Sequence, residues 1–390
     1  MILQSGFSRL GTALLATLAV TTHAQSLPEK PLPSAVITSD AGNSDADLLP
    51  PARLSPAIKP RAIKAAMRLV ANWQVAASRG RFNQDWTYAP LYLGLLAASD
   101  ATGDASYRNI VEDQSARFAW KLWANRDLHA DDEAIAQAYE DLYDRRREPV
   151  RIADARATFD RLAALQDSPR KDLWWWCDAL FMAPAGLARM SAITGDRKYV
   201  LAMDREWTLT QEHLYNPQQR LFYRDASYFT KREANGEPVY WTRGNGWVLA
   251  GTANVLQAMA LDDPLRPKYL RLFQDMSQRI ASLQQPDGLW RPSLLDPQSY
   301  SLPEVSGSAF FVYALAWGVN HGVLDRAIYG PVIERAWAAM LLHVYSDGRL
   351  GCIQPIGAAP GAFTPTSSYV YGVGGFLLAG REMLHFASPK

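Results

Sequence analysis

An aspartate set inside a run of indoles is the first feature of this sequence that could do chemistry. In Trp174-Trp175-Trp176-Cys177-Asp178-Ala179-Leu180-Phe181-Met182 one carboxyl interrupts aromatic and aliphatic side chains at the start of an apolar, helix-like stretch. Burial disfavours the ionised form of a carboxyl and raises its pKa. A carboxyl packed on tryptophan can therefore serve as a general acid near neutral pH. The plainer alternative is that Asp178 only caps the helix that follows, a common role for aspartate.

A second stretch, Trp241-Thr242-Arg243-Gly244-Asn245-Gly246-Trp247, holds a guanidinium between two indoles beside a glycine-rich turn. Arginine suits a planar carboxylate, and glycine lets a ligand approach the backbone. A cation–π contact at a helix start is the structural alternative. A third stretch, His129-Ala130-Asp131-Asp132-Glu133, opens a helix-like segment with three acids. In isolation it reads as favourable charge at a helix N-terminus. No second histidine stands at i, i+4 spacing, so no metal site is expected. Leu221-Phe222-Tyr223-Arg224-Asp225 and Gln285-Pro286-Asp287-Gly288-Leu289-Trp290-Arg291 read as loops or short hairpins between helices, with Trp290-Arg291 as a candidate cleft rim. No nucleophile elbow, phosphate loop or dinucleotide fingerprint occurs, which argues against serine hydrolases, kinases and dehydrogenases and leaves no cofactor expected.

The elements that must carry these residues read as helices. Alternating β-branched runs are scarce, and the chain is expected to be all-α. An internal repeat supports this. Ala89-Pro90-Leu91-Tyr92-Leu93-Gly94-Leu95 leads to Thr102-Gly103-Asp104 and then Tyr107, and Ala183-Pro184-Ala185-Gly186-Leu187-Ala188 leads to Thr194-Gly195-Asp196 and then Tyr199. Glycine at a helix end tolerates positive φ, and the aspartate can cap the next helix. Further apolar helices are expected at 131–145, 154–165, 247–260, 268–283, 308–319, 330–342 and 369–384. They give about six hairpins at repeat-like spacing. Such hairpins could stack as an open solenoid or close into an (α/α)6 barrel. The glycines of Gly372-Val373-Gly374-Gly375 permit close helix approach and favour closure.

Around this core, Arg9, the apolar run 10–21 and Thr22-His23-Ala24 before Gln25 have the layout of a secretory signal peptide. Residues 25–55, rich in Pro, Ser, Ala and Asp, read as a linker. Residues 56–390 read as one catalytic domain, exported to the periplasm or beyond, with no membrane partner once the signal is removed. The chain carries 40 basic and 39 acidic residues and has no long basic run, which argues against nucleic acid as a partner. Cys177 and Cys352 sit in apolar or glycine-flanked surroundings, as free thiols would. The 13 tryptophans could line a sugar site or fill a core, and composition does not choose between them.

Four stretches in order, 175–182, 221–225, 241–247 and Ser368-Tyr369-Val370-Tyr371-Gly372-Val373-Gly374-Gly375-Phe376, resemble glycoside hydrolase family 105, the unsaturated rhamnogalacturonyl hydrolases, and its relative family 88, the unsaturated glucuronyl hydrolases. The resemblance spans nearly all of the expected domain. It implies an (α/α)6 barrel acting on an unsaturated uronyl oligosaccharide made by a polysaccharide lyase. It implies hydration of the C4=C5 double bond, with Asp178 as the acid that protonates C4 and then activates water. The family's second aspartate corresponds to Asp131 or Asp132, with a preference for Asp132. Trp176, Arg243 and Trp247 match positions lining the sugar subsite. Trp241, His129, Arg224 and Trp290 are further candidates, and Ser368, in the 367–371 loop, is a candidate for the uronate carboxylate. Some members carry a histidine where this chain has Arg224-Asp225, which leaves the sugar beyond the cleaved bond open. Two rivals remain: a conventional inverting glycosidase with carboxylates roughly 6.5–9.5 Å apart, and a non-catalytic carbohydrate-binding solenoid.

Overall fold

The computed structural model describes residues 47–165 and 173–388. The expected signal peptide and residues 25–46 of the expected linker lie outside them. In chain order the helices are α1 (Pro60–Ala77), α2 (Ala89–Thr102), α3 (Ala105–Arg117), α4 (Ala130–Glu133), α5 (Ala136–Arg145), α6 (Ala153–Ala164), α7 (Ala179–Met182), α8 (Pro184–Thr194), α9 (Lys198–Leu214), α10 (Thr242–Ala258), α11 (Arg266–Ser282), α12 (Val305–Asn320), α13 (Arg326–Leu341) and α14 (Val370–Ala387). A two-residue hairpin, β1 (Tyr215–Asn216) antiparallel to β2 (Leu221–Phe222), pairs Tyr215 with Phe222.

Helices α2, α5, α8, α10, α12 and α14 form a ring in which each packs on the next and α14 packs back on α2. The helices that precede or alternate with them, α1, α3, α6, α9, α11 and α13, form the outer layer. This is the (α/α)6 barrel, closed rather than open. Burial follows the layers. Outer α1 hides one stripe, Ile63, Ala66, Met67, Val70, Ala71 and Gln74, at helical spacing. Inner α12 is buried without interruption from Val305 to Gly318, because it meets neighbours on every side. Close approach in the ring depends on glycine. A Cβ at Gly374 would lie 2.3 Å from the Pro90 carbonyl group, and one at Gly251 would lie 2.1 Å from the Leu180 oxygen.

The repeated turns are built alike. Gly103 and Gly195 end their helices at φ 76° and 72°, and the Asp104 and Asp196 carboxylates accept from the amides of Ser106 and Lys198. Two expectations need correction. The sixth hairpin is completed by α1, which sequence reading did not assign and which packs on α14. In addition, residues 47–52 of the expected linker are fastened to the barrel. Ala52 N–H donates to Val344 O, Ser346 N–H to Pro50 O, and Arg349 Nη2 to Asp47 O. Cys177 and Cys352 are buried free thiols.

Candidate active site

The N-terminal ends of the inner helices converge at one mouth of the barrel, and the stretches singled out above lie there. Asp178 sits at the entry to α7. It is 8% exposed and its side chain caps no helix N–H, so the capping alternative does not hold. The carboxyl oxygen Oδ2 lies 3.5 Å from the Cys177 thiol and 3.8 Å from Arg224 Nε. Burial raises its pKa above the ordinary value, while the charges of Arg224 and Arg243 pull it back down. Backbone bonds hold the surroundings. Cys177 N–H donates to Arg224 O at 2.8 Å. The Asn245 side chain pairs with Phe222 through both its oxygen (2.8 Å) and its nitrogen (3.1 Å), fixing β2 against α10.

The acidic segment 131–133 divides by direction. The Asp132 carboxylate is only 3% exposed and is taken by Arg126, from the backbone N–H at 2.5 Å, Nε at 3.1 Å and Nη2 at 2.6 Å. Asp131 has a looser hold on the same guanidinium, Oδ2 to Arg126 Nη2 at 3.4 Å, and lies within electrostatic range of Asp178. Burial lifts its pKa to about 7, helped by the negative charges of Asp178 and Asp132 and opposed by Arg126 and Arg224. Of the two aspartates that the sequence left open, Asp132 is the one saturated by Arg126 and Asp131 the one that feels the Asp178 charge. His129 accepts from the Asp131 amide and lies on Trp176, ring centroids 4.7 Å apart. Burial and then Arg126 push its pKa down to about 3, so its imidazole is neutral. Trp175 was not singled out by sequence reading. It is 39% exposed, packs on Trp176 at 5.0 Å and carries the Arg224 guanidinium 5.1 Å above its ring.

Asp178, Asp131, His129, Trp176 and Arg224 thus come together. Other candidates do not join them. Arg243 is fully buried, stacked between Trp241 at 4.3 Å and Tyr371 at 5.0 Å. Its two terminal nitrogens donate to the carbonyls of Gln354 and Pro355. It braces a loop and lends its charge to Asp178, and neither terminal nitrogen is open to a substrate carboxylate. Trp241 is 2% exposed and gives its Nε1–H to the Gln354 side chain. Trp247 is fully buried against Phe310 and Phe181. Trp290 is core, donating to Ile280 O. The Ser368 hydroxyl is fully buried and has no hydrogen-bond partner. Sequence reading also missed Gln354, which joins Trp241, Arg243, Tyr371 and Glu304.

The opposite mouth encloses about 270 Å³ among Gln137, Asp141, Arg189, Asn254, Tyr313 and Arg381. Its acids are paired, Asp141 with Arg145 and Asp144 with Arg189. Glu140, beside Asp144 and Arg189, is buried with neither carboxylate oxygen hydrogen-bonded, and burial raises its pKa. Among the described residues no cluster of three His, Cys, Asp or Glu could hold a metal ion.

The comparisons agree with this geometry. The family model described as Glycosyl Hydrolase Family 88 matches residues 61–387. An unsaturated 3S-rhamnoglycuronyl hydrolase of Formosa agariphila is 40% identical over 77% of this chain and 84% of its own length. One of Alteromonas sp. (strain LOR) is 33% identical over 80% of this chain and 84% of its own length. The solved glycosyl hydrolase family 88 protein from Bacteroides vulgatus aligns with a TM-score of 0.80 at 31% identity, covering 84% of this chain and 99% of that one. The family model runs along nearly the whole described barrel, and the chain belongs to Glycosyl Hydrolase Family 88.

Proposed function

We propose that this glycoside hydrolase removes a 4,5-unsaturated uronic acid from the non-reducing end of lyase-generated oligosaccharides, and that the sugar released from it is a rhamnose. The observation that carries the reading is the Asp178 carboxyl. It is buried, caps nothing, has a raised pKa and faces a second raised carboxyl, Asp131. The rhamnose is supported by the names of the Formosa and Alteromonas relatives.

In this reading Asp178 delivers its proton to C4 of the enol ether. The cation at C5 is stabilised by the ring oxygen, and water adds there as the Asp178 carboxylate takes back a proton. The hemiketal opens to a ketone, and the hemiacetal left at C1 expels the neighbouring sugar. One water is consumed and Asp178 ends as it began. The Asp178 charge helps keep a proton on Asp131, and Asp131 is placed to hydrogen-bond a sugar hydroxyl. Trp175, Trp176 and the neutral His129 give the pyranose an aromatic wall. The signal-like residues 1–24 support an exported enzyme, which would meet lyase products outside the cytoplasm.

The test is a side-by-side assay of unsaturated and saturated uronyl–rhamnose disaccharides, followed by the ultraviolet absorbance of the enol ether. Loss of absorbance and release of rhamnose from the unsaturated compound alone support the proposal. Equal hydrolysis of the saturated compound would mark a conventional glycosidase. A rise in absorbance on intact polymer would mark a lyase.

A further inference from the structure

We propose that Arg224 is a positioning residue for Asp178: clamped by Asp225 and laid on Trp175, it orients the acid and sets the pH range in which the reaction runs. The inference rests on Asp178 being the proton donor. Arg224 Nη1 donates to Asp225 Oδ2 at 2.7 Å, and Asp225 is itself fixed by the Ser227 amide at 2.8 Å. The guanidinium lies 5.1 Å over the Trp175 ring. The carbonyl of Arg224 accepts from Cys177 N–H. The segment after β2 and the turn bearing Asp178 therefore move as one piece. Arg224 Nε is buried, has no hydrogen-bond partner and stands 3.8 Å from Asp178 Oδ2.

That spacing has a chemical meaning. It is too long for a hydrogen bond, so the neutral acid is not held back from its substrate. Once the proton has moved to carbon, Asp178 is a carboxylate, and a charged donor waits beside it. A donor to the ionised form favours that form, and it acts mainly as charge develops, which is where stabilisation raises turnover.

The other nearby charges are differently employed. Arg243 of α10 faces Asp178 but spends both terminal nitrogens on carbonyls. Arg126 serves Asp132. Asp131 of α4 is itself raised by the Asp178 charge and pairs with Arg126 at 3.4 Å, and the Cys177 thiol contacts Asp178. Asp225 and Tyr228 lie behind Arg224. Arg224 is the cation whose side chain can close on the acid.

The test compares Arg224→Gln, Arg224→Lys and Asp225→Asn by the pH dependence of kcat and kcat/KM on the unsaturated disaccharide, with Asp178→Asn alongside. Removing the charge should move the alkaline limb of kcat/KM upward by about half a pH unit or more, the least that two unit charges this close impose on each other. It should lower kcat by about tenfold or more while KM changes by less than about threefold. Arg224→Lys, which keeps the charge, should bring the limb back toward its original position, and Asp225→Asn should show a smaller kcat loss. A raised KM with the limb in place would make Arg224 a substrate clamp and overturn the proposal, as would an unchanged profile. If Arg224→Gln does not fold, the same comparison made with Arg224→Lys and Asp225→Asn decides: a limb and kcat unmoved in both overturn the proposal. An active Asp178→Asn would overturn the acid assignment itself, a different failure from a limb that does not move.

Discussion

Replacing Asp178 by Asn changes one oxygen to an amide and removes the transferable proton. The structure says what else it changes, which is little. The Asp178 side chain caps no helix amide. Its nearest polar neighbours are the Cys177 thiol at 3.5 Å and Arg224 at 3.8 Å. No strong hydrogen bond is lost, and the cost of a buried carboxyl is relieved, so thermal stability should hold or rise slightly. Activity should fall steeply. Positioned general acids contribute about 10²–10⁴ in rate, which is roughly 2.7–5.4 kcal/mol of barrier at 1.36 kcal/mol per decade. The assay is disappearance of enol-ether absorbance under saturating unsaturated disaccharide, with the melting temperature measured on the same sample. Turnover above about a tenth of the parent's, in a folded variant, lies outside the general-acid range and would refute the assignment.

The two neighbouring acids should separate by function. Asp131→Asn should cut turnover with little loss of stability. Asp132→Asn, which removes the closest of Arg126's charged partners, should cost about 1–3 kcal/mol in urea unfolding and leave chemistry largely intact. The alkaline limb of kcat/KM should lie above the ordinary aspartate range. Asp131 is raised to about 7 and Asp178 is raised in the same sense, so a protonated acid is present below those pKa values and is lost as pH rises through them. Glu133 is 2% exposed, neither of its carboxylate oxygens has a partner, and burial lifts its pKa to about 8. Its folded pKa is above the unfolded one, so its favourable contribution is complete below the ordinary glutamate pKa and drains away as pH rises toward 8. Glu133→Gln should therefore flatten the fall in melting temperature over that interval, an effect of a few kcal/mol at most at about 1.4 kcal/mol per unit. Gly251→Ala would drive a methyl into the Leu180 carbonyl. A destabilisation of about 1–3 kcal/mol or more is expected, with loss of activity as the 178–182 turn shifts.

Most of the ring could be read from local signals. The Thr-Gly-Asp turns mark helix ends by backbone chemistry that belongs to three residues, and the inner helices announce themselves as apolar on every face. Helix α1 did not stand out, because its stripe is ordinary and its partner α14 lies at the far end of the sequence. Asp178 was legible because a lone carboxyl in an indole run is rare. Asp131 and Asp132 were not separable, since their directions are decided by Arg126, which comes from a preceding loop with no pattern of its own. The overreadings share one cause. Trp247, Trp290 and Arg243 have the composition of a sugar site, yet a ring looks the same in a sequence whether it lines a cleft or fills a core. The carbonyls that occupy Arg243 come from Gln354 and Pro355, far along the chain. Trp175 was passed over because nothing in three consecutive tryptophans says which one faces out.

Because α14 seats between α12 and α2 with α1 packed against it, it is the wedge that closes the ring on the first two described helices. Losing a terminal unit from an open helical stack leaves a shorter stack, but losing one here would breach the wall everywhere at once. Melting should accordingly be a single event rather than a fraying from one end. A cut in the loop before α14 should silence the enzyme even though Asp178 sits half the sequence away.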